Sequence, residues 1–368
     1  MSLPSIKFTG TKNEEFYKEL RKRVNSYFKE NQISRHANAG MIVKTVFMLA
    51  LYIVPFVLLL TVDFNLWIQL MLWVLMGFGM AGIGLSVMHD ANHGAYSRNE
   101  KINNIIGKVL FLLGGSDVNW RIQHNVLHHT YTNVTGNDED INPGAVMRFS
   151  PHEKRRWFHR FQHIYAWFFY CLMTLVWFVS KDYKQAVRYE KLGLMKTQNT
   201  TFAKHLTVII VGKIIYAGLF IVLPLLFSGA PWWFTIVGFL IMQAIAGLML
   251  ALIFQPAHVV PTSDYPIPDE SGNIDADWAV NQLYNTANFA PKAMLLSWYC
   301  GGLNYQVEHH LFPNICHVHY PKISGIVEKT AKEYGLPYHS YNTFLAAIAN
   351  HTRMLRDLGR NDLAPAIH

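Results

Sequence analysis

The chain has 368 residues, 51% hydrophobic and 15% charged, with a formal net charge of +8. That length exceeds what one small core needs, and a hydrophobic share only slightly above that of soluble proteins leaves the class open. Three cysteines, Cys171, Cys300 and Cys316, are odd in number and widely spaced, which argues against a disulfide framework and against a thiolate metal site.

Residues 1–40 are polar and precede the first apolar run, so no signal peptide is expected and they read as a cytosolic N-terminal segment. Two apolar runs follow, at about 41–62 and 66–88. Each can cross a hydrocarbon layer of about 30 Å at about 1.5 Å per residue. Pro55 lies inside the first, where a membrane helix tolerates it better than a soluble one does.

Directly after the second run, "HDANH" places His89 and His93 one helical turn apart, so both could ligate one metal. "HNVLHH" gives His124 and His128 the same spacing and adds His129. Neighbouring side chains on an α-helix diverge by about 100°, so His128 and His129 can face different metals.

The aromatic stretch at about 160–179 has basic residues on both sides, Lys154, Arg155, Arg156 and Arg160 before it and Lys181, Lys184 and Arg188 after it. The positive-inside rule keeps both flanks on the cytoplasmic side, so the stretch reads as a helix in, or dipping into, the inner interface. Runs at about 205–227 and 233–254 complete four spans. Lys213, near the cytoplasmic end of the third, is expected to snorkel. His258 stands just beyond the fourth span, and "QVEHH" then brings Gln306, His309 and His310.

The first 44 residues hold nine Lys or Arg, whereas the loops at Asp63 and Ser228 hold none. Both termini and every histidine cluster therefore fall on the cytoplasmic side, whose positive charge suits anionic headgroups or an acidic protein. One all-α membrane domain over 41–368 is expected: four transmembrane helices under a cytosolic helical cap that carries a histidine-rich di-metal site. No nucleic-acid partner is expected. Imidazole suits iron, zinc, copper or nickel, and eight histidines exceed what one ion can use, so two metals are implied.

"HDANHGAYS", "HNVLHHTYTN" and "NYQVEHHLFPNICHVHYP" are similar to the three histidine boxes of membrane fatty acid desaturases. Gln306, where many members carry histidine, resembles the front-end subgroup, delta-6 enzymes included. The likeness runs from about Ser34 to near Arg360, through "GNDEDINPGA", "TANFA" and "WYCGGLN", and is nearest to cyanobacterial-type enzymes. It implies that His89, His93, His124, His128, His129, His258, His309 and His310 hold two iron ions, with Gln306 as a further ligand or a hydrogen-bonding neighbour. Some relatives carry an asparagine four positions before the equivalent of His258, where this chain has Phe254.

The implied reaction is O2-dependent removal of two hydrogens from an acyl chain linked to lipid or CoA, seated in an apolar tunnel. Trp298, Tyr305 and the aromatics around Trp167 are candidates to line it. Unlike many eukaryotic front-end enzymes, the chain shows no cytochrome b5 motif, so an external donor such as ferredoxin or cytochrome b5 is expected. A membrane di-iron hydroxylase acting on a lipid or alkane is the alternative. Asp90, Asp138, Glu139, Asp140 and Glu308 stand beside ligand motifs as candidates to orient imidazoles. His317 and His319 are expected to be structural or to support ligands. His36, His152, His159, His163, His205, His339, His351 and His368 read as ordinary residues.

Overall fold

The computed structural model describes residues 6–361; His368 lies outside them. The described residues are mostly helical and divide into two compact units.

The first unit comprises residues 39–122 and 167–251. Its helices Ala39–Thr61, Leu66–Asn92, Phe202–Phe227 and the first part of Trp232–His258 are each long and apolar enough to cross a membrane. The second helix is 72% buried, against 28% for the first and 22% for the third, so it forms the centre of its unit. The outer helices turn Val43, Val46, Ile214 and Leu226 outward, an apolar surface that only lipid would cover. Trp67 and Trp232, at the starts of two spans, are also exposed and suit the membrane–water boundary.

Small residues bring these helices together. A Cβ on Gly79 would come within 2.8 Å of the Leu51 and Tyr52 backbone, so only glycine permits the crossing of the first two spans. Two spans contain π-helical turns, Ile83–Val87 and Gly218–Val222. The second immediately precedes the short helix Leu223–Phe227 that holds Pro224, where a wider turn accommodates the missing N–H and the ring. Pro55 is carried inside an unbroken helix.

Lys213 does not snorkel. It is buried, with its ammonium on Asp182 Oδ2 at 2.6 Å and on the carbonyls of Gly114 and Trp177. Asp182 is itself buried and also accepts from Asn119 and Trp177. The chain between residues 157 and 191 is two helical pieces, Trp157–Cys171 and Met173–Lys191, bent by 59° about Leu172. They are apolar enough for a broken span or a re-entrant segment, and the bend replaces the one helix expected at 160–179.

The second unit comprises residues up to Asn38, then 123–166 and from Leu252 onward. Helix Glu14–Glu30 buries Phe16, Leu20, Val24 and Phe28, four residues apart and so on one stripe. That stripe shares a core with Ile323, Val327 and Ala331 of helix Tyr320–Glu333, each such aliphatic or aromatic side chain contributing about 1.5–3 kcal/mol. Arg23 bridges to Glu333 at 2.6 Å beside the same contact. Two short parallel strand pairs, Lys7–Phe8 with Asn273–Ile274 and Ala287–Phe289 with His339–Tyr341, tie distant segments into this unit.

Candidate metal centre

In the first unit the second span runs past its apolar stretch to Asn92, carrying His89 onto its last turn with His93 directly after it. The two rings lie 4.7 Å apart, centroid to centroid, and each is 5.4 Å from the Trp120 ring in an edge-on contact. Asn92, between them, is fixed by Arg121 at 3.0 Å, which also pairs with Asp117.

In the second unit His124, His128, His129, His258, His309 and His310 form one buried cluster, none more than 6% exposed. His124 and His128 lie on a π-helix, Arg121–His128, and the His129 amide reaches the His124 carbonyl five residues back at 3.0 Å. The wide turn keeps both His128 and His129 against His124, at ring distances of 5.1 and 4.8 Å. The fourth span ends on His258, and the helix Gln306–Leu311 supplies His309 and His310. Coordinating atoms of the cluster lie within 4.8 Å of one another in the trios His128, His258 and His310, and His129, His309 and His310, and His124 forms such a group with His128 and Asp140.

Hydrogen bonds behind the rings fix their orientation. Asp140 accepts from His124 Nδ1 at 2.7 Å and is held by Gln123. Asp138 accepts from His128 Nδ1 at 2.9 Å and from the amides of Asn133 and Asp140, both at 2.9 Å. His258 Nδ1 donates to the Asn285 carbonyl at 3.1 Å, and His310 Nδ1 to Gln282 Oε1 at 2.8 Å. A ring that spends Nδ1–H in this way turns the lone pair of Nε2 to the cluster. Burial disfavours charge on His128, but the Asp138 carboxylate outweighs it and raises the imidazole above its usual range.

The donor set fits a cation. The Nε2 atoms of His128 and His258 are buried with no hydrogen-bond partner among the described residues, a cost that a bound group removes. His129 Nε2 and His309 Nε2 stand 3.0 Å apart, and two imidazole nitrogens bound at about 2.1 Å and at right angles to one ion lie roughly that far apart. Gln306, 1% exposed, has neither amide atom hydrogen-bonded among the described residues, and it precedes His309 and His310 by one helical turn.

Of the five acidic candidates, Asp138 and Asp140 hold rings of the cluster. Glu308 turns instead to Tyr338 and Asn288, at 2.8 Å each, and burial pushes its carboxyl up to about 7. Asp90 Oδ1 is 4.0 Å from His89 Nδ1, too long for a hydrogen bond. Phe254 lays its ring 4.8 Å from His258 and 5.1 Å from His128, so an apolar face stands where the asparagine of some relatives would be. His319 bonds the His36 carbonyl and packs on Phe28, a structural role. His152, His159, His205 and His351 each bond a backbone or amide oxygen, as ordinary histidines do. Tyr305 is buried with its hydroxyl on the Pro291 carbonyl, and Trp298 is partly exposed.

Sequence reasoning missed Gln282, Asn285 and Thr132. Gln282 and Asn285 stand among polar residues at one-turn spacing along "WAVNQLYN", a pattern that reads equally as a solvated helix face, and Thr132 carries no signal apart from lying beside a histidine motif.

A family model described as fatty acid desaturase matches residues 65–342. The chain is 34% identical to the sn-1 linoleoyl-lipid 6-desaturase of Arthrospira platensis, over 100% of this chain and 99% of that one. It is 36% identical to the protein of the same name from Synechocystis sp., over 96% and 98% of the two chains. It is also 36% identical to the acyl-lipid (8-3)-desaturase of Physcomitrium patens, over 96% of this chain and 74% of the relative. With a family match over most of its length, similarity to two cyanobacterial enzymes from end to end, and four apolar helices of spanning length, the chain belongs to the fatty acid desaturase family and is a membrane oxidoreductase that desaturates fatty acids.

Proposed function

We propose that this enzyme is an O2-dependent di-iron desaturase that places a cis double bond at the front-end, delta-6-like position of an already unsaturated C18 chain. The likeness to two linoleoyl-lipid 6-desaturases supports a lipid-linked linoleoyl substrate. The observation that carries the di-iron reading is the buried cluster of six imidazoles whose Nδ1 atoms, on His124, His128, His258 and His310, are engaged from behind. His89, His93, His124, His128, His129, His258, His309 and His310 are the proposed ligands. Gln306 supplies a ninth donor or a hydrogen bond to a bound water. All-nitrogen ligation with open positions suits iron in O2 chemistry better than structural zinc, which more commonly uses cysteine.

Bound iron would supply the activation of O2 that an unreactive methylene pair requires. The balance is two hydrogens from the acyl chain, one O2, two electrons and two protons, giving one double bond and two waters. Residues of this chain do the positioning. Asp138 and Asp140 hold His128 and His124, and the Phe254 ring keeps an apolar wall against three of the imidazoles. Near-complete burial excludes bulk water from the same atoms.

On this reading residues 41–368 work as one desaturase domain, with both termini and the metal centre on the cytoplasmic side. The electrons come from an acidic carrier, ferredoxin first and free cytochrome b5 second, drawn to the basic cytoplasmic surface. The test is expression in cells that lack such lipids, fed linoleate, with new double bonds located by mass spectrometry. A product two hydrogens lighter, unsaturated at carbon 6, is expected. A product heavier by one oxygen would assign a hydroxylase instead, and no new product despite bound iron and a working donor would refute the reading.

A further inference from the structure

The helix Trp278–Asn285 carries no residue of any histidine box, yet it meets two of the segments that do, and the end of the fourth span as well. Asp277 opens it, accepting from the amides of Ala279 and Val280 at 2.8 and 3.3 Å. Ala279, Val280 and Leu283 enter the apolar core of the second unit. Trp278, Asn281, Gln282 and Asn285 fall at i, i+3, i+4 and i+7, a single stripe.

The stripe reaches both the cluster and the loop after His129. Trp278 Nε1 donates to the His129 carbonyl at 3.0 Å, and Asn281 Nδ2 to the Thr132 carbonyl at 3.2 Å. The Asn285 carbonyl receives His258 Nδ1, and the Asn285 side chain folds back onto Asn281 at 2.8 Å. Gln282 is fully buried; its Oε1 receives His310 Nδ1 at 2.8 Å and lies 2.7 Å from Thr132 Oγ1.

The amide of Gln282 is used on one side only, because its Nε2 is buried with no hydrogen-bond partner among the described residues. An amide rotated by half a turn would set NH2 against His310 Nδ1. The imidazole would then carry its proton on Nε2 and lose the lone pair a metal needs. His310 belongs to both trios, so its tautomer bears on the donor set of each.

We propose that Gln282 is a positioning residue: its side-chain oxygen holds His310 in the Nδ1–H tautomer and keeps Nε2 available to metal. This rests on the di-metal reading above. The stripe around it fixes the loop after His129 and the ring of His258 from the same helix, so ligands distant in sequence are registered against one rigid element.

The experiment is a Co2+ titration of purified, metal-stripped full-length protein in detergent, against a competing chelator, with melting temperatures of the metal-free forms alongside. Gln282→Leu removes the acceptor and should weaken binding of at least one ion by about 10- to 100-fold while leaving the metal-free melting temperature near that of the wild type. Gln282→Glu keeps an oxygen facing His310 and exchanges for a second oxygen an NH2 that has no partner among the described residues, so it should hold affinity to within about tenfold of the wild type. Wild-type affinity in Gln282→Leu, or a Gln282→Glu protein as weak as Gln282→Leu, overturns the proposal. Should Gln282→Leu fail to fold, Gln282→Glu decides alone: an affinity loss beyond about tenfold overturns it. A wild-type protein that binds no Co2+ would instead overturn the di-metal reading itself.

Discussion

Asp138 concentrates the heaviest structural demand on one carboxylate. Both oxygens lie within 3.0 Å of His128 Nδ1, and they also accept from the Asn133 and Asp140 amides at 2.9 Å each, with the side chain fully buried. Hydrogen bonds to a charged group contribute about 1.5–3 kcal/mol each, and a buried donor left facing another donor costs a similar amount. Asp138→Asn keeps one acceptor and turns an NH2 against a donor, so one contact is lost and one becomes repulsive, about 3–5 kcal/mol in total. Part of that falls on the folded loop at 133–140 and part on His128, whose metal affinity should drop by about 10- to 100-fold. Metal content after equilibration at fixed free Co2+, read beside linoleate turnover, separates the two. Turnover should fall in step with metal content and recover partly when metal is raised. An Asp138→Asn protein with wild-type affinity and turnover would refute the assignment of Asp138 as the orienting partner of His128.

Burial holds the His351 imidazole down to about 4, with Nδ1–H on the Val259 carbonyl at 2.8 Å. Its contribution is therefore present above pH ~6.5 and lost as pH falls toward 4, a gap of about 3 kcal/mol. His351→Gln, which can still donate, should flatten the acid side of a melting-temperature profile; an unchanged acid limb would contradict this. Lys213→Met leaves the buried Asp182 carboxylate without its cation, which should cost about 3–5 kcal/mol, seen as a large drop in melting temperature. Adding Asp182→Asn should recover part of that loss, and no recovery would show that the pair is not the cause. Turnover with limiting ferredoxin should fall steeply between about 0.05 and 0.5 M salt as screening shortens the reach of the basic surface; a flat response would remove electrostatic docking.

The spans were legible because an uninterrupted apolar run states its own length. The expected 41–62, 66–88, 205–227 and 233–254 meet helices at Ala39–Thr61, Leu66–Asn92, Phe202–Phe227 and Trp232–His258. The second and fourth overran because backbone hydrogen bonding continues after hydropathy stops, and the overrun is what carries His89 and His258 on their helices. Asp138 and Asp140 were legible as neighbours of a ligand motif. Gln282 was not: it lies 28 residues before the His310 it orients, on a helix whose polar residues look solvated until the cluster is seen behind them. Lys213 was misjudged for the same reason, since its partner Asp182 sits 31 residues away. The short strand pairs were invisible because two or three residues carry no period.

The π-helical stretch Arg121–His128 has a consequence for how this enzyme can vary. A π turn is an α turn with one residue too many, closed five residues back instead of four. Deleting any one position among 125–127 would let the segment relax into ordinary α geometry, with His129 four residues after His124 and His128 only three, which rotates His128 away from His124 even though every histidine survives. The count of residues between the imidazoles is thus a mechanical dimension, and loops elsewhere can lengthen or shorten where this one segment cannot.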